Sequence, residues 1–65
     1  MQITINGEPK SFDQSVTVAD VLREMEIEGR VAVEINREIL PRSRFEQHQI
    51  NSGDVVEIVH AIGGG

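Results

Sequence analysis

The residues with the clearest chemical potential are the last three, Gly63-Gly64-Gly65, which directly follow an apolar run. Glycine has no Cβ, so a glycine segment can lie in a channel too narrow for any side chain and can adopt any φ value. A carboxylate on such a tail could be delivered into the active site of another protein. The alternative is an ordinary flexible end, which is common at chain termini.

The chemistry open to such a carboxylate is acyl activation. A free carboxylate is a poor acyl donor because its leaving group is poor. Coupling to AMP would make the carbonyl carbon electrophilic, and a sulfur nucleophile could then displace AMP to leave a thiocarboxylate. Three extended residues reach roughly 10 Å, which is enough to enter a pocket beside a docked partner.

No internal group of side chains indicates catalysis. The serines lie in polar contexts typical of turns and caps, without a neighbouring His/Asp arrangement. His48 is predicted on a solvated loop, and His60 ends the last predicted strand, where it could contact a partner. Carboxylates that act as acid and base need a cleft to shift their pKa values, and a chain this short has little room for one. We therefore expect no catalytic residue, no metal site and no bound cofactor.

Composition excludes several classes of function. Eleven acidic and six basic side chains give a net charge of −5, and only two residues are aromatic, so nucleic-acid binding is not expected. The absence of cysteine removes any thiol nucleophile or disulfide. Neither a signal peptide nor an apolar run of the roughly 20 residues that cross a bilayer is present. We expect a soluble cytoplasmic protein without a membrane partner.

The first half of the chain predicts a hairpin and then a helix. Residues 2–6 alternate in polarity, and Asn6-Gly7 is a strong hairpin turn signal before a return strand over residues 8–12. Thr17 and Asp20 resemble a capping box, and Gly29 is placed to end the helix. Apolar residues at i, i+3, i+4 and i+7 form one helical stripe: Val18, Val21, Leu22 and Met25.

The second half predicts another hairpin and a final strand. Residues 31–35 alternate, Asn36-Arg37 can turn the chain, and residues 38–40 pair back until Pro41. A short helical turn is expected within residues 42–50, anchored by Phe45 and Ile50. Residues 51–54 form a turn, and the last strand covers residues 55–61.

This order of elements predicts an α+β fold, with the helical stripe covering one face of the sheet. The final strand should lie centrally beside the first, between two flanking hairpins. That is the β-grasp architecture, a mixed sheet of four to five strands on one main helix. The predicted domain covers residues 1–62, and residues 63–65 form a flexible reactive tail.

The other sheet face is a candidate interaction surface. Val55 and Val59 project opposite to Val56 and Ile58, and Ala32 lies outward if the alternation holds. A contiguous exposed apolar patch marks an interaction site, whereas isolated exposed valines have no such meaning. The sequence is equally compatible with both.

Taken together, these motifs resemble the ubiquitin-like sulfur carriers, most closely the ThiS-type carriers of bacterial thiamin biosynthesis. The similarity covers essentially the whole chain, including Asn6-Gly7, the helical stripe and residues 31–38. Its specific part is Gly53-Asp54 leading into an apolar strand that ends in Gly64-Gly65.

The resemblance implies a defined cycle. An E1-like adenylyltransferase of the ThiF type would use ATP and magnesium to adenylate the carboxylate of Gly65. Sulfur from cysteine, supplied by a desulfurase, would convert it to a thiocarboxylate, and a thiazole synthase of the ThiG type would receive the sulfur. Gly63 and Gly64 would thread the tail. The residues that would dock partners are Ile62, Val55, Val59 and Ala32.

Three alternatives remain at this point. Ubiquitin-type modifiers carry basic residues beside the Gly-Gly, whereas Ala61-Ile62 are apolar here, which disfavours protein tagging. The small subunit of molybdopterin synthase shares the fold and the activation chemistry but resembles a longer chain. A plain β-grasp interaction domain would bind its partner without using the tail.

Overall fold

Two hairpins, one helix and a final strand make up the fold. The computed structural model describes residues 1–60. In chain order the elements are β1 (Gln2–Ile5), β2 (Glu8–Ser11), α1 (Val18–Glu24), β3 (Val31–Ile35), β4 (Glu38–Leu40), a short 3-10 helix (Arg42–Arg44) and β5 (Val55–His60). The predicted order is confirmed, with β2 one residue shorter than expected, although the Phe12 N–H still bonds the Met1 carbonyl at 2.9 Å.

The strands form one mixed sheet in the order β2-β1-β5-β3-β4. β5 runs parallel to β1 and antiparallel to β3, while each hairpin pairs its own two strands antiparallel. The last strand therefore lies at the centre, between the two hairpins, as the sequence predicts. The β-grasp prediction is confirmed.

The core lies between one sheet face and α1. Alternate residues of the central strands point into it, and Phe45 and Ile50 close it from the segment after β4, as predicted. In the helical stripe, Val18 and Val21 are each 1% exposed, whereas Met25 is 37% exposed. The far end of the stripe thus lies at the rim of the core.

The start of α1 follows the predicted capping box. The Thr17 hydroxyl accepts from the Asp20 backbone N–H at 3.1 Å, and the Asp20 carboxylate accepts from the Thr17 N–H at 3.0 Å. The Thr17 backbone N–H, with Arg23 at 2.7 Å, lowers the pKa of Asp20 below its ordinary value of 3.8. The carboxylate is therefore charged at neutral pH and suits the positive end of the helix.

The end of α1 differs from the prediction that Gly29 would terminate it. The helix ends at Glu24, and Glu26 adopts the positive φ (56°) that follows a helix in a Schellman motif. The N–H groups of Glu26 and Ile27 bond the carbonyls of Arg23 and Leu22 at 3.0 and 2.9 Å. Because these bonds already satisfy the last carbonyls, Gly29 falls in the following loop.

The two hairpin turns share a backbone conformation but not a sequence. Asn6 and Gly7 have φ values of 51° and 84°, and Asn36 and Arg37 have 52° and 73°. Two positive φ values are typical of the type I′ turn, which favours Asn-Gly. Arg37 thus occupies a position at which a Cβ is unfavourable.

Replacing Arg37 with glycine is expected to stabilise the domain by about 0.5–1 kcal/mol. Removal of the Cβ relieves the left-handed strain, and the entropy that glycine gains in the unfolded chain offsets part of the gain. Arg37→Ala retains the Cβ and serves as the matched control. Urea denaturation of the three proteins measures the effect, and equal midpoints for Arg37→Gly and Arg37→Ala would contradict this explanation.

Candidate functional site

The predicted reactive tail, residues 63–65, follows β5 in the chain. His60 is the last described residue, so Ala61, Ile62, Gly63, Gly64 and Gly65 lie outside the described residues. The threading role of the glycines, the docking role of Ile62 and the extension of the last strand to Ala61 stay predictions. The described residues show how the strand that leads to the tail is held.

Two asparagine side chains hold β5 from both sides. The Asn6 side chain accepts from the Ile58 N–H at 2.8 Å and donates to the Ile58 carbonyl at 3.2 Å. The Asn36 side chain accepts from the Val55 N–H at 2.9 Å, and the Asn36 backbone N–H donates to the Val55 carbonyl at 2.7 Å. Both residues were predicted only as turn formers, because sequence gives no sign of a partner 19 or 52 positions away.

The Gly53-Asp54 motif fixes the beginning of β5. Asp54 is buried, and its carboxylate accepts from the Asn36 side chain at 3.0 Å and from the Asn51 N–H at 2.8 Å. Its carbonyl accepts from the Thr4 N–H at 3.0 Å, which joins the turn to β1. The motif therefore has a structural role, in which it sets the position of the strand before the tail.

The sheet face opposite α1 carries the predicted docking residues. Val55 is 43% exposed and Val59 58% exposed, and the register pairs Val59 with exposed Ala32 across β5 and β3. The predicted exposure of these residues on one face is thus observed. Their role in binding a partner stays a prediction.

Sequence reasoning missed another apolar member of this face. Ile39, on β4, is 75% exposed and pairs with Glu34, which pairs in turn with Glu57 on β5. The cross-strand register with β3 places Ile39 there, because the three residues of β4 are too few for alternation to predict a face. We call these residues the outer face: Ala32, Glu34, Ile39, Val55, Glu57 and Val59.

A groove beside β4 is the best-defined concave feature among residues 1–60. This open groove of about 280 Å³ is lined in part by His48 and Asp54, but both Asp54 oxygens already accept hydrogen bonds. His48 is half-buried rather than solvated, and its carbonyl accepts from the Val18 N–H. Within these residues there is no group of three metal-ligating side chains, and no helix has the length and hydropathy to cross a bilayer.

The topology and the position of β5 define a ubiquitin-like β-grasp domain. The crystal structure of the thiamine biosynthesis protein ThiS from Geobacter metallireducens has this fold, with a TM-score of 0.87 and 35% sequence identity, and the match covers the whole of both chains. A model of the ThiS family matches residues 3–65, so the chain belongs to the ThiS family. The predicted resemblance is confirmed.

Two curated relatives differ in their own length. The sulfur carrier protein ThiS of Bacillus subtilis is 32% identical, over 97% of this chain and 98% of that protein. A thiazole synthase of Paramagnetospirillum magneticum is 48% identical over the whole of this chain, which spans only 20% of that relative. A segment similar to this chain thus occurs both alone and within a longer protein.

Proposed function

We propose that this chain is a sulfur carrier of thiamine biosynthesis that bears sulfur as a thiocarboxylate on Gly65. The observation that carries the proposal is the ThiS family match, which runs through the glycine ending to residue 65. The carrier of similar length in Bacillus subtilis supports it. The described residues provide a compact domain that partner enzymes can hold.

The proposed cycle uses enzymes for every reactive step. A carboxylate oxygen of Gly65 attacks the α-phosphorus of ATP on an E1-like adenylyltransferase, and pyrophosphate leaves. A persulfide sulfur, formed from cysteine by a desulfurase, then attacks the acyl carbon and AMP leaves. A free thiol such as excess cysteine reduces the resulting acyl disulfide, which releases the thiocarboxylate and forms a disulfide between the two remaining thiols. ATP and magnesium belong to the activating enzyme, and this chain supplies the acyl group. Gly63 and Gly64 admit the tail to a narrow channel because they have no side chains.

A thiazole synthase is the proposed sulfur acceptor. The thiazole synthase of Paramagnetospirillum magneticum contains a segment similar to this whole chain, so a carrier-like domain and this enzyme can share one polypeptide. This carrier domain would contact a thiazole synthase either as a separate protein or as part of the same polypeptide. After sulfur transfer the carrier returns with its carboxylate restored.

Mass spectrometry of the intact protein tests the proposal. The chain is incubated with the E1-like enzyme, the desulfurase, cysteine, ATP and magnesium, and the expected product has one oxygen replaced by sulfur. Fragmentation should assign the exchange to Gly65. Incubation without ATP is the control, and an exchange that is absent or assigned elsewhere would refute the proposal.

The same preparation, with thiazole synthase added, separates the alternatives. A protein modifier would give conjugates of higher mass linked to lysine side chains, and a plain interaction domain would bind its partner without any change in mass. A carrier for molybdopterin would become a thiocarboxylate but would fail to deliver sulfur to the thiazole synthase. Each of these results would replace the proposed function.

We further propose that partners dock on the outer face, where Val59 is the most exposed valine. Replacing Val59 with serine is expected to weaken thiazole synthase binding about tenfold, because a buried apolar interface side chain contributes about 1.5–3 kcal/mol. Met25→Ser is the matched control, since Met25 is exposed on the helical side of the sheet. Isothermal titration calorimetry measures both, and equal affinities for the two variants would place the interface elsewhere.

A further inference from the structure

Two carboxylates oppose each other at the centre of the outer face. The register pairs Glu34 on β3 with Glu57 on β5. Two residues further along β3, the Asn36 backbone N–H bonds the Val55 carbonyl. Since pair types alternate along an antiparallel ladder, the backbones of Glu34 and Glu57 also form a hydrogen-bonded pair. Directly opposite Cβ atoms lie about 4.5–5.5 Å apart, and like charges in that position destabilise a sheet.

Within residues 1–60, neither Glu34 nor Glu57 forms an ion pair with a basic side chain. Among residues 1–60 the one ion pair joins Arg23 to Asp20 at the helix, away from the sheet face. Residues 61–65 contain neither lysine nor arginine. Glu34 and Glu57 thus oppose each other without an ion pair to a basic side chain of the described domain.

Apolar side chains surround these charges. Ile39 is the neighbour of Glu34 on β4, while Val55 and Val59 precede and follow Glu57 by two residues on the same face. The outer face thus combines exposed hydrocarbon with a central acidic pair. An apolar partner surface alone would bury both carboxylates without a counter-charge, which is strongly unfavourable.

We propose that the outer face docks on a thiazole synthase surface that presents an arginine side chain among apolar side chains, with the guanidinium between Glu34 and Glu57. This inference rests on the proposed function. Arginine suits the position because its planar group has five N–H donors, enough to bond two carboxylates at once. It is also weakly hydrated and enriched at the centre of protein interfaces. Docking in this way replaces the repulsion between the glutamates with attraction to one cation.

A double variant tests the charge requirement. The outer-face variant, Glu34→Gln with Glu57→Gln, retains side-chain size and removes both charges. The matched control, Glu26→Gln with Glu28→Gln, removes two exposed charges beyond α1. Calorimetric titration with purified thiazole synthase is performed at low and at physiological salt. The outer-face variant should bind about tenfold or more weakly at low salt and lose most of its salt dependence, whereas the control should stay within about twofold of the original protein.

Thermal unfolding of the free variants separates binding from folding. The outer-face variant should melt at a higher temperature because the cross-strand repulsion is gone. A weaker binder that is also more stable cannot owe its loss of affinity to unfolding. Loss of affinity together with a lower melting temperature would contradict the repulsion on which the inference depends.

The outcomes distinguish this inference from the proposed function. If Gly65 acquires sulfur and the outer-face variant binds the synthase as tightly as the control, the arginine-docked interface is wrong and the carrier function stands. If the original protein does not bind the synthase at all, the assignment of that partner and the interface both fail.

Discussion

Deleting Gly65 is expected to reduce sulfur loading by at least about 100-fold while leaving the folded domain unchanged. The deletion moves the terminal carboxylate back by one residue, roughly 3.5 Å in an extended chain. Misplacement of a reacting group by about 1 Å can already reduce a rate by 10²-fold. The measurement is the rate of oxygen-to-sulfur exchange in the intact protein, with the melting temperature as evidence that the domain is still folded.

A chain with one added glycine is the matched control for this deletion. Both variants end in a glycine carboxylate, so equal losses from shortening and lengthening would show that position, rather than the terminal residue type, limits the reaction. Growth without added thiamine reports the same defect in cells. A shortened protein that accepts sulfur as fast as the original would overturn the role of Gly65.

Replacing Ile3 with alanine is expected to destabilise the domain by about 2–5 kcal/mol. Ile3 lies on β1, is 1% exposed and belongs to the core. Its truncation removes buried hydrocarbon and leaves a cavity that the surrounding side chains fill only in part. A domain of this length has a total stability of about 3–10 kcal/mol, so the substitution removes a large fraction of it.

The chain provides a control of identical chemistry in Ile39, which is 75% exposed. Ile39→Ala should change stability by no more than about 0.5 kcal/mol because its side chain already contacts water. Urea denaturation measures the free energy of unfolding of both variants, with one common m value, the slope of that free energy against urea concentration. Similar losses at the two positions would mean that Ile39 packs against the domain in solution.

The two isoleucines illustrate how far sequence patterns extend. Alternation in residues 2–6 predicted that Ile3 faces inward, because strand side chains alternate with a period of two. The three residues of β4 are too few for such a pattern, so the exposure of Ile39 required the register with β3. Local periodicity predicts a face only where enough residues repeat.

Helix boundaries show the same limit at the level of hydrogen bonds. The capping box was predictable because Thr17 and Asp20 lie three positions apart in sequence. The end of α1 was misassigned to Gly29 because glycine is the residue most often found after a helix, whereas Glu26 takes the left-handed conformation here. Backbone hydrogen bonds from Glu26 and Ile27 to the last turn stabilise this helix end, and residue type alone does not predict such bonds.

By itself the sequence determined the order of elements, the central place of the last strand and the glycine ending on which the proposed chemistry depends. These features follow from local periodicity, turn-forming residues and the unique backbone freedom of glycine. Only the tertiary structure decided that Asn6 and Asn36 hold β5 and that Glu34 opposes Glu57. Such contacts join residues far apart in the chain, so they depend on strand register, which forms only when the whole sheet packs on its helix.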